Sequence, residues 1–338
     1  MRNLDLDVDV VNQVLPYPIK DHTFLAGDGS DRSYFRLIPD DPKKASLALM
    51  QLDKKDSDLL RKNRYDWIHL ANTLKKNEIR TPQIKAVLKS HGLIIMEDCG
   101  NQTVEEYIKI LDKKNKKEDH IFYQNILDLI AKMLSIKPEK EEVWSQRSFD
   151  IEKLSFELEF FREKYFKNVL ELSFSKSEQD LFEQDSSNLT GYIAKRPKFF
   201  VHRDFHSRNL MYYNNQIVLI DFQDARLGPA CYDLISFCFD PYVHRTYGER
   251  RDLLQRGVCR VKQLSPNTAK EILGSWKAVI LQRQLKILGS FGYLTKEKQK
   301  GDYLKYSRGV LDSLQECFDE RWPFLSGKLI TKMQHLVS

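Results

Sequence analysis

One stretch limits this chain more than any other: His202-Arg203-Asp204-Phe205-His206-Ser207-Arg208-Asn209, followed at once by Leu210 to Ile220 and Asp221-Phe222-Gln223. Leu210 to Tyr213 and Gln216 to Ile220 are strand-like, and Asn214-Asn215 between them tolerates the positive φ that a tight turn needs. A two-residue turn sets Tyr213 against Gln216 and Asn209 against Ile220, on strands ~5 Å apart. Asp221 then lies beside that last pair. The spacing is five residues from Asp204 to Asn209 and twelve more to Asp221, so two carboxylates and one amide converge at the open end of a hairpin. A lone Asp before a strand is usually a turn residue, and a lone Asn a cap; the joint spacing beside apolar strands carries the reading. An asparagine oxygen with an aspartate carboxylate is a hard-oxygen set suited to Mg²⁺, and Asp204 is left over as a base. That is the chemistry of phosphoryl transfer from a nucleotide.

The chain has 338 residues, enough to bury a full core and to form two lobes. With 41% hydrophobic and 30% charged residues, it has the composition of an ordered globular protein. The net charge of +6 is mild, and its densest piece, Lys113-Lys114-Asn115-Lys116-Lys117, is diluted by Glu118 and Asp119. No aromatic platform accompanies that run, so it reads as a solvated loop and no nucleic-acid partner is expected. The five cysteines (99, 231, 238, 259, 317) contain no Cys-x-x-Cys pair, which argues against a disulfide framework or zinc ribbon and for a reducing compartment. The N-terminus lacks the apolar core of a secretory signal, and no apolar run approaches ~18 residues. A cytoplasmic protein with no membrane partner is the expectation, and a monomer is the expected assembly.

Three strands open the chain: His22 to Gly27, Ser33 to Ile38 and Ala45 to Leu52. A helix with Ser57 as its N-cap then carries Leu60, Trp67, Leu70, Ala71 and Leu74 on one face and stops before Thr81-Pro82. Lys85 to Lys89 and Gly92 to Glu97 make a last hairpin. Beyond Gly100 the character changes. Thr103-Val-Glu-Glu106 is a capping box opening a helix, and helical stretches follow at about 119–136, 150–170 and 176–195. After the central hairpin come helices at 229–239, 248–262, 268–289 and 302–318. The fold class implied is α+β, with a small β-rich N-terminal lobe (1–98) and a larger, mainly helical C-terminal lobe (99–338).

The turn Gly27-Asp28-Gly29-Ser30-Asp31-Arg32 lies between two strands. Gly27, Gly29 and Ser30 allow backbone N–H groups to approach an anion closely, and Arg32 can pair with phosphate oxygens. Asp-Gly is also a standard hairpin turn, so this signal gains its meaning from the downstream Asp/Asn/Asp set. Leu93 to Gly100 is an apolar strand running into a polar crossing between the lobes. Backbone groups of Glu97 and Cys99 are candidates for pairing with an adenine edge; by itself the segment also reads as a plain linker.

Gly27–Arg36, Met96-Glu-Asp-Cys-Gly100, His202–Asn209 and Asp221–Pro229 together resemble the aminoglycoside phosphotransferase superfamily of small-molecule kinases. Asp28–Arg36 and Asp221–Pro229 are most similar to its bacterial branch acting on N-acetylmuramate and N-acetylglucosamine at the anomeric hydroxyl, a step of cell-wall recycling. The resemblance runs from about residue 20 to about 245. It implies a protein-kinase-like two-lobe fold, ATP and Mg²⁺, with Asp204 as catalytic base, Asn209 and Asp221 as metal ligands, and a small-molecule sugar as substrate.

Only a few residues separate Asp221-Phe-Gln from Gly228-Pro229 and the next helix, and His206 stands where protein kinases usually carry a lysine. Both features point to a small-molecule acceptor. Asp233, in the first turn of that helix, could accept backbone N–H groups of the catalytic loop, or simply serve the helix dipole. The third strand carries no lysine for the phosphates; Met50 stands near that position, with Arg32, Lys54 and Lys55 as substitutes and Asp58 and Asp66 as acidic partners. Other acceptors, an aminoglycoside or a choline-like compound, would call for an acidic pocket. A nucleotide-binding pseudokinase that docks partners is the reading from another class, supported by the missing lysine and opposed by the intact Asp/Asn/Asp set.

Overall fold

The computed structural model describes residues 8–26, 32–111, 116–140 and 142–336. A short helix, α1 (Val8–Asn12), precedes strands β1 (Ile19–Ala26), β2 (Ser33–Pro39) and β3 (Leu47–Gln51). Helices α2 (Lys54–Arg61) and α3 (Asp66–Lys76) follow, then strands β4 (Ile84–Leu88) and β5 (Leu93–Glu97). The five strands form one antiparallel sheet in the order β1-β2-β3-β5-β4. Alternation along β2 sends Phe35 and Leu37 into a core shared with Val11, Ile19, Leu49 and Ile95. In β5 the consecutive residues Leu93 to Met96 are all buried, so both faces of the sheet are covered there.

The single helix expected after β3 is two. Asp53, not Ser57, caps α2, its carboxylate accepting the Asp56 N–H at 2.7 Å. The chain leaves α2 through Asn63 at φ 56°, a left-handed geometry that asparagine tolerates and a continuing helix does not. Ser57 packs instead against Gly92, where an added Cβ would lie 2.1 Å from its hydroxyl. Gly92 also sits at φ 66°, so glycine is required twice over.

Past Gln102 the chain is mainly helical: α4 (Val104–Leu111), α5 (Lys116–Leu134), α6 (Ile151–Phe161) and α7 (Lys176–Ala194). Strands β6 (Lys198–Val201), β7 (Leu210–Tyr213), β8 (Gln216–Leu219) and β9 (Arg226–Pro229) come next. They are followed by α8 (Tyr232–Cys238), α9 (Tyr247–Leu264), α10 (Pro266–Gly292), α11 (Ser307–Gln315) and α12 (Leu329–Gln334). The Thr103 capping box closes as expected, with Glu106 N–H on Thr103 Oγ1 and Thr103 N–H on Glu106 Oε2. The β7–β8 turn also follows expectation: Asn214 and Asn215 stand at φ 50° and 59°. Helix α10, about 40 Å long at 1.5 Å per residue, runs through this part almost wholly buried from Ala278 to Gly289. Cβ atoms at Gly289 and Gly292 would clash with the backbones of Phe161 and Lys164, so these glycines let α10 press onto the end of α6.

By packing, the chain divides into two compact units, Met1–Gln102 with Met211–Ile220, and Thr103–Leu210 with Asp221–Ser338. The β7–β8 hairpin goes with the first. Tyr212 N–H donates to Gln102 O (2.9 Å), Leu219 N–H donates to Arg80 O (2.8 Å), and Met211 and Val218 bury an apolar cluster with Cys99. The division read from sequence at 98/99 differs from this by the hairpin and by residues 99–102. Among the described residues no helix is long and apolar enough to cross a membrane.

Candidate active site

The loop after β6 is held from two sides. Asp233, buried in the first turn of α8, accepts the N–H groups of His202 (2.7 Å) and Arg203 (3.1 Å). Of the two roles open for Asp233, these bonds select the loop anchor. Burial pushes its pKa up to about 6, partly offset by His202 and the two N–H donors. Asp240 accepts the Ser207 N–H at 2.7 Å. Between these anchors Arg203 is held at φ 83°, a conformation that side-chain-bearing residues avoid unless their surroundings impose it.

Within this frame the structure brings Asp204, Asn209 and Asp221 together. Asn209 Nδ2 donates to Asp204 O (3.0 Å) and lies 3.4 Å from Asp221 Oδ2. That use of the amide nitrogen leaves Oδ1 as the atom able to meet a cation. Asp221 stands at φ 58° and takes a hydrogen bond from Gln223 Nε2 at 2.7 Å. An amide oxygen beside a carboxylate fits Mg²⁺. Among the described residues no group of three or more His, Cys, Asp or Glu could hold a metal ion.

Asp204 is surrounded by cations. Lys286 Nζ of α10 lies 3.0 Å from its Oδ1, and Arg203, which also reaches toward Glu157 (3.7 Å) and Asp224 (3.4 Å), lies 4.0 Å from its Oδ2. Burial alone would raise the Asp204 pKa, but Lys286 and then Arg203 outweigh it and hold the carboxyl well below its ordinary range. His206 is shifted down by burial against the pull of Asp240 and Asp204, and its ring meets Tyr242 edge-on at 5.3 Å.

The nucleotide candidates lie in the N-terminal unit. Gly27, Gly29 and Ser30 fall outside the described residues. Arg32 Nε meets Asp56 Oδ2 at 3.0 Å, and its guanidinium lies 5.7 Å from the Tyr65 ring centre. Its Nη1 is buried with no hydrogen-bond partner among the described residues. The carboxylate meeting this cation is thus Asp56; Asp58 pairs with Arg61 of its own helix at 2.7 Å. Lys54 and Lys55 are exposed and Met50 is fully buried. Glu97 commits its N–H to Gln83 O (2.8 Å) and its side chain to Arg80 (2.7 Å). The Cys99 thiol, 4.0 Å from Glu97 O, has its pKa pushed up to about 12 by burial and stays neutral. Between them Asp98 is gripped by Arg36, Ser46 and the Gly100 N–H, which fixes the path of the crossing.

Sequence reasoning missed Lys286 and a cluster around Arg208. That guanidinium bonds Glu105 (2.6 Å) and Tyr306 Oη (2.7 Å) and lies 3.7 Å from the Tyr242 ring centre. Tyr242 and Tyr306 also line a cavity of about 240 Å³ with His244, Arg245, Arg250 and Lys305. A larger cavity of about 550 Å³ is lined by Lys75, Glu78, Arg80 and Gln83, and neither cavity is lined by Asp204, Asn209 or Asp221. A lysine inside the apolar run of α10 was the one visible signal for Lys286, since lysines are rarely buried unless paired.

The model of the phosphotransferase enzyme family matches residues 21–267. Two curated relatives are named N-acetylmuramate/N-acetylglucosamine kinase. That of Neisseria meningitidis serogroup B is 26% identical over 85% of this chain and 83% of its own length. That of Pseudomonas putida is 26% identical over 92% and 88%. Among solved structures, ADP-bound aminoglycoside phosphotransferase APH(2'')-Ib superposes with a TM-score of 0.60 at 17% identity, covering 92% of this chain and 97% of that one. Choline kinase LicA from Streptococcus pneumoniae gives 0.58 at 12% identity over 90% and 94%. These likenesses show a protein-kinase-like fold, and the family match, covering most of the chain, shows that the protein belongs to the phosphotransferase enzyme family and transfers phosphate to a hydroxyl group.

Proposed function

We propose that the protein transfers the γ-phosphoryl group of Mg·ATP to the anomeric hydroxyl of N-acetylmuramate or N-acetylglucosamine. The convergence of Asp204 with Asn209 and Asp221 carries the chemistry, and the relatives' shared name supports the acceptor. Asp204, kept ionised by its cationic neighbours, accepts the acceptor's O–H hydrogen bond, aims the oxygen at phosphorus and takes the proton as the new P–O bond forms. Asn209 Oδ1 and the Asp221 carboxylate would hold Mg²⁺, which neutralises phosphate charge when bound. On the nucleotide side, the N–H groups of Gly27, Gly29 and Ser30 would meet phosphate oxygens and Arg32 would grip them, braced by Asp56. With its N–H committed to Gln83, Glu97 would offer adenine its carbonyl, and Cys99 its N–H.

The cavity bounded by Tyr242 and Tyr306 suits the acceptor. Aromatic faces pack against sugar rings, and of the cations in the lining Lys305 is the one to meet a carboxylate such as that of N-acetylmuramate, since Arg250 pairs with Glu316 and the buried Arg245 donates to Phe237 O.

ADP release should be measured with N-acetylmuramate, N-acetylglucosamine, glucose, glucosamine, an aminoglycoside and choline. The two N-acetyl sugars should be consumed, with loss of their reducing ends as the anomeric oxygen is blocked. Asp204→Asn should lower turnover by roughly 10²–10⁴, the contribution of a positioned base, while Mg·ATP binding survives. Consumption confined to the aminoglycoside or choline, or near wild-type turnover in Asp204→Asn, would sink this reading.

A further inference from the structure

Kinase loops commonly place a lysine two residues after the catalytic aspartate, where its charge serves the phosphoryl group. Here that position is His206, whose half-buried ring is engaged with Asn209 and Tyr242. The loop therefore lacks a lysine at that place. One arrives from elsewhere: Lys286, in the middle of α10, lies 3.0 Å from Asp204 Oδ1 with its side chain only 13% exposed.

A lysine flanked by buried Leu285 and Ile287 is costly unless its charge is matched. Asp204 matches it. The ammonium has three N–H donors, and Asp204 is its one hydrogen-bond partner among the described residues, which leaves two donors for an incoming group. Its position is not adjustable, because Gly289 and Gly292 fix the rotation and height of α10 against Phe161 and Lys164. Charge supplies the motive. Asp204 and Asp221 are both acidic, and the phosphoryl group brings further negative oxygens into the same space.

Resting on the phosphoryl-transfer reading, we propose that Lys286 is the missing loop lysine delivered from a distant helix. It holds Asp204 turned toward the acceptor and donates its remaining N–H groups to the oxygens of the transferring phosphoryl group. The bond from phosphorus to the ADP oxygen breaks as the bond to the acceptor oxygen forms. The acceptor proton passes to Asp204, and Lys286 keeps its own protons throughout.

The test compares Lys286→Met, Lys286→Arg and Lys286→Ala in the full chain with Mg·ATP and N-acetylglucosamine, after thermal melts and Mg·ADP titration establish folding. Lys286→Met should lose about 10²-fold in kcat, the scale of one preorganised donor to a developing charge, with both KM values within a few-fold. Lys286→Arg should recover part of the loss, and ethylammonium should rescue Lys286→Ala saturably, which no purely structural role predicts. Turnover of Lys286→Met within twofold of wild type overturns the proposal. So does a loss in folded protein that neither arginine nor the amine recovers. If the wild type phosphorylates neither N-acetyl sugar, the acceptor assignment fails by itself, and the same variants are then ranked by hydrolysis of Mg·ATP.

Discussion

Arg32, just ahead of β2, and Asp56, in the helix α2 that follows β3, meet at 3.0 Å, a cation–carboxylate pair like the strand lysine and helix carboxylate of kinases. The guanidinium has a second edge to offer, and its Nη1 has no hydrogen-bond partner among the described residues. Charge-assisted bonds of this kind contribute about 1.5–3 kcal/mol. Arg32→Ala should therefore lower kcat/KM for ATP by roughly 10- to 100-fold and leave the sugar KM little changed. Asp56→Asn should move the same constants in the same direction by less, since it removes the brace and keeps the fork. Lys54→Ala and Lys55→Ala should stay near wild type because both lysines are exposed. If a lysine variant collapses the ATP constants while Arg32→Ala does not, the grip belongs to that lysine. At this scale legibility follows separation in sequence. Asp204, Asn209 and Asp221 could be assembled because one short hairpin fixes their register. Asp56 and Lys286 could not, since the partner of each is chosen by packing between elements.

Helix ends were legible where a cap carries its own signature and obscure where two caps compete. Thr103 and Glu106 announce α4, whereas Ser57 looked like a cap only until Asp53 took that role. β9 and α12 escaped notice because four to six residues carry too little periodicity, and β9 owes its existence to pairing with β6. The α7 capping box offers a pH test. Glu178 caps Ser175 N–H and also bonds Lys332 of α12 at 2.8 Å. The Lys332 bond first, then the Ser175 N–H, lowers its pKa to about 2. A depressed carboxyl stabilises the fold fully above its ordinary value of 4.5 and loses that contribution as pH falls through about 2. Glu178→Gln should thus melt below the wild type at pH 7, with the two curves converging as pH approaches 2. Melting temperatures that stay parallel across that window would show that the charge contributes nothing.

For the molecule as a whole, the change of character at Gly100 was visible in the sequence, but the allegiance of the β7–β8 hairpin was not. Strand propensity says that a hairpin forms; only long-range packing says which unit it joins. Here it packs with the first. Without the hairpin, Cys99 loses Met211 and Val218, and the carbonyls of Gln102 and Arg80 lose their donors. Burying a Met or Val contributes about 1.5–3 kcal/mol and each hydrogen bond about 1 kcal/mol, which together is a large share of the 5–15 kcal/mol stability of an ordinary domain. A fragment of residues 1–102 should therefore melt broadly or not at all by circular dichroism. The same fragment with 211–220 appended through a short Gly/Ser linker should regain a cooperative transition at higher temperature. Substituting Val218→Asp in the appended piece should abolish that gain, because a charge would then enter a position with no exposure. Equal, sharp transitions in all three proteins would mean that the sheet of β1 to β5 is self-sufficient and that the hairpin merely rests on it.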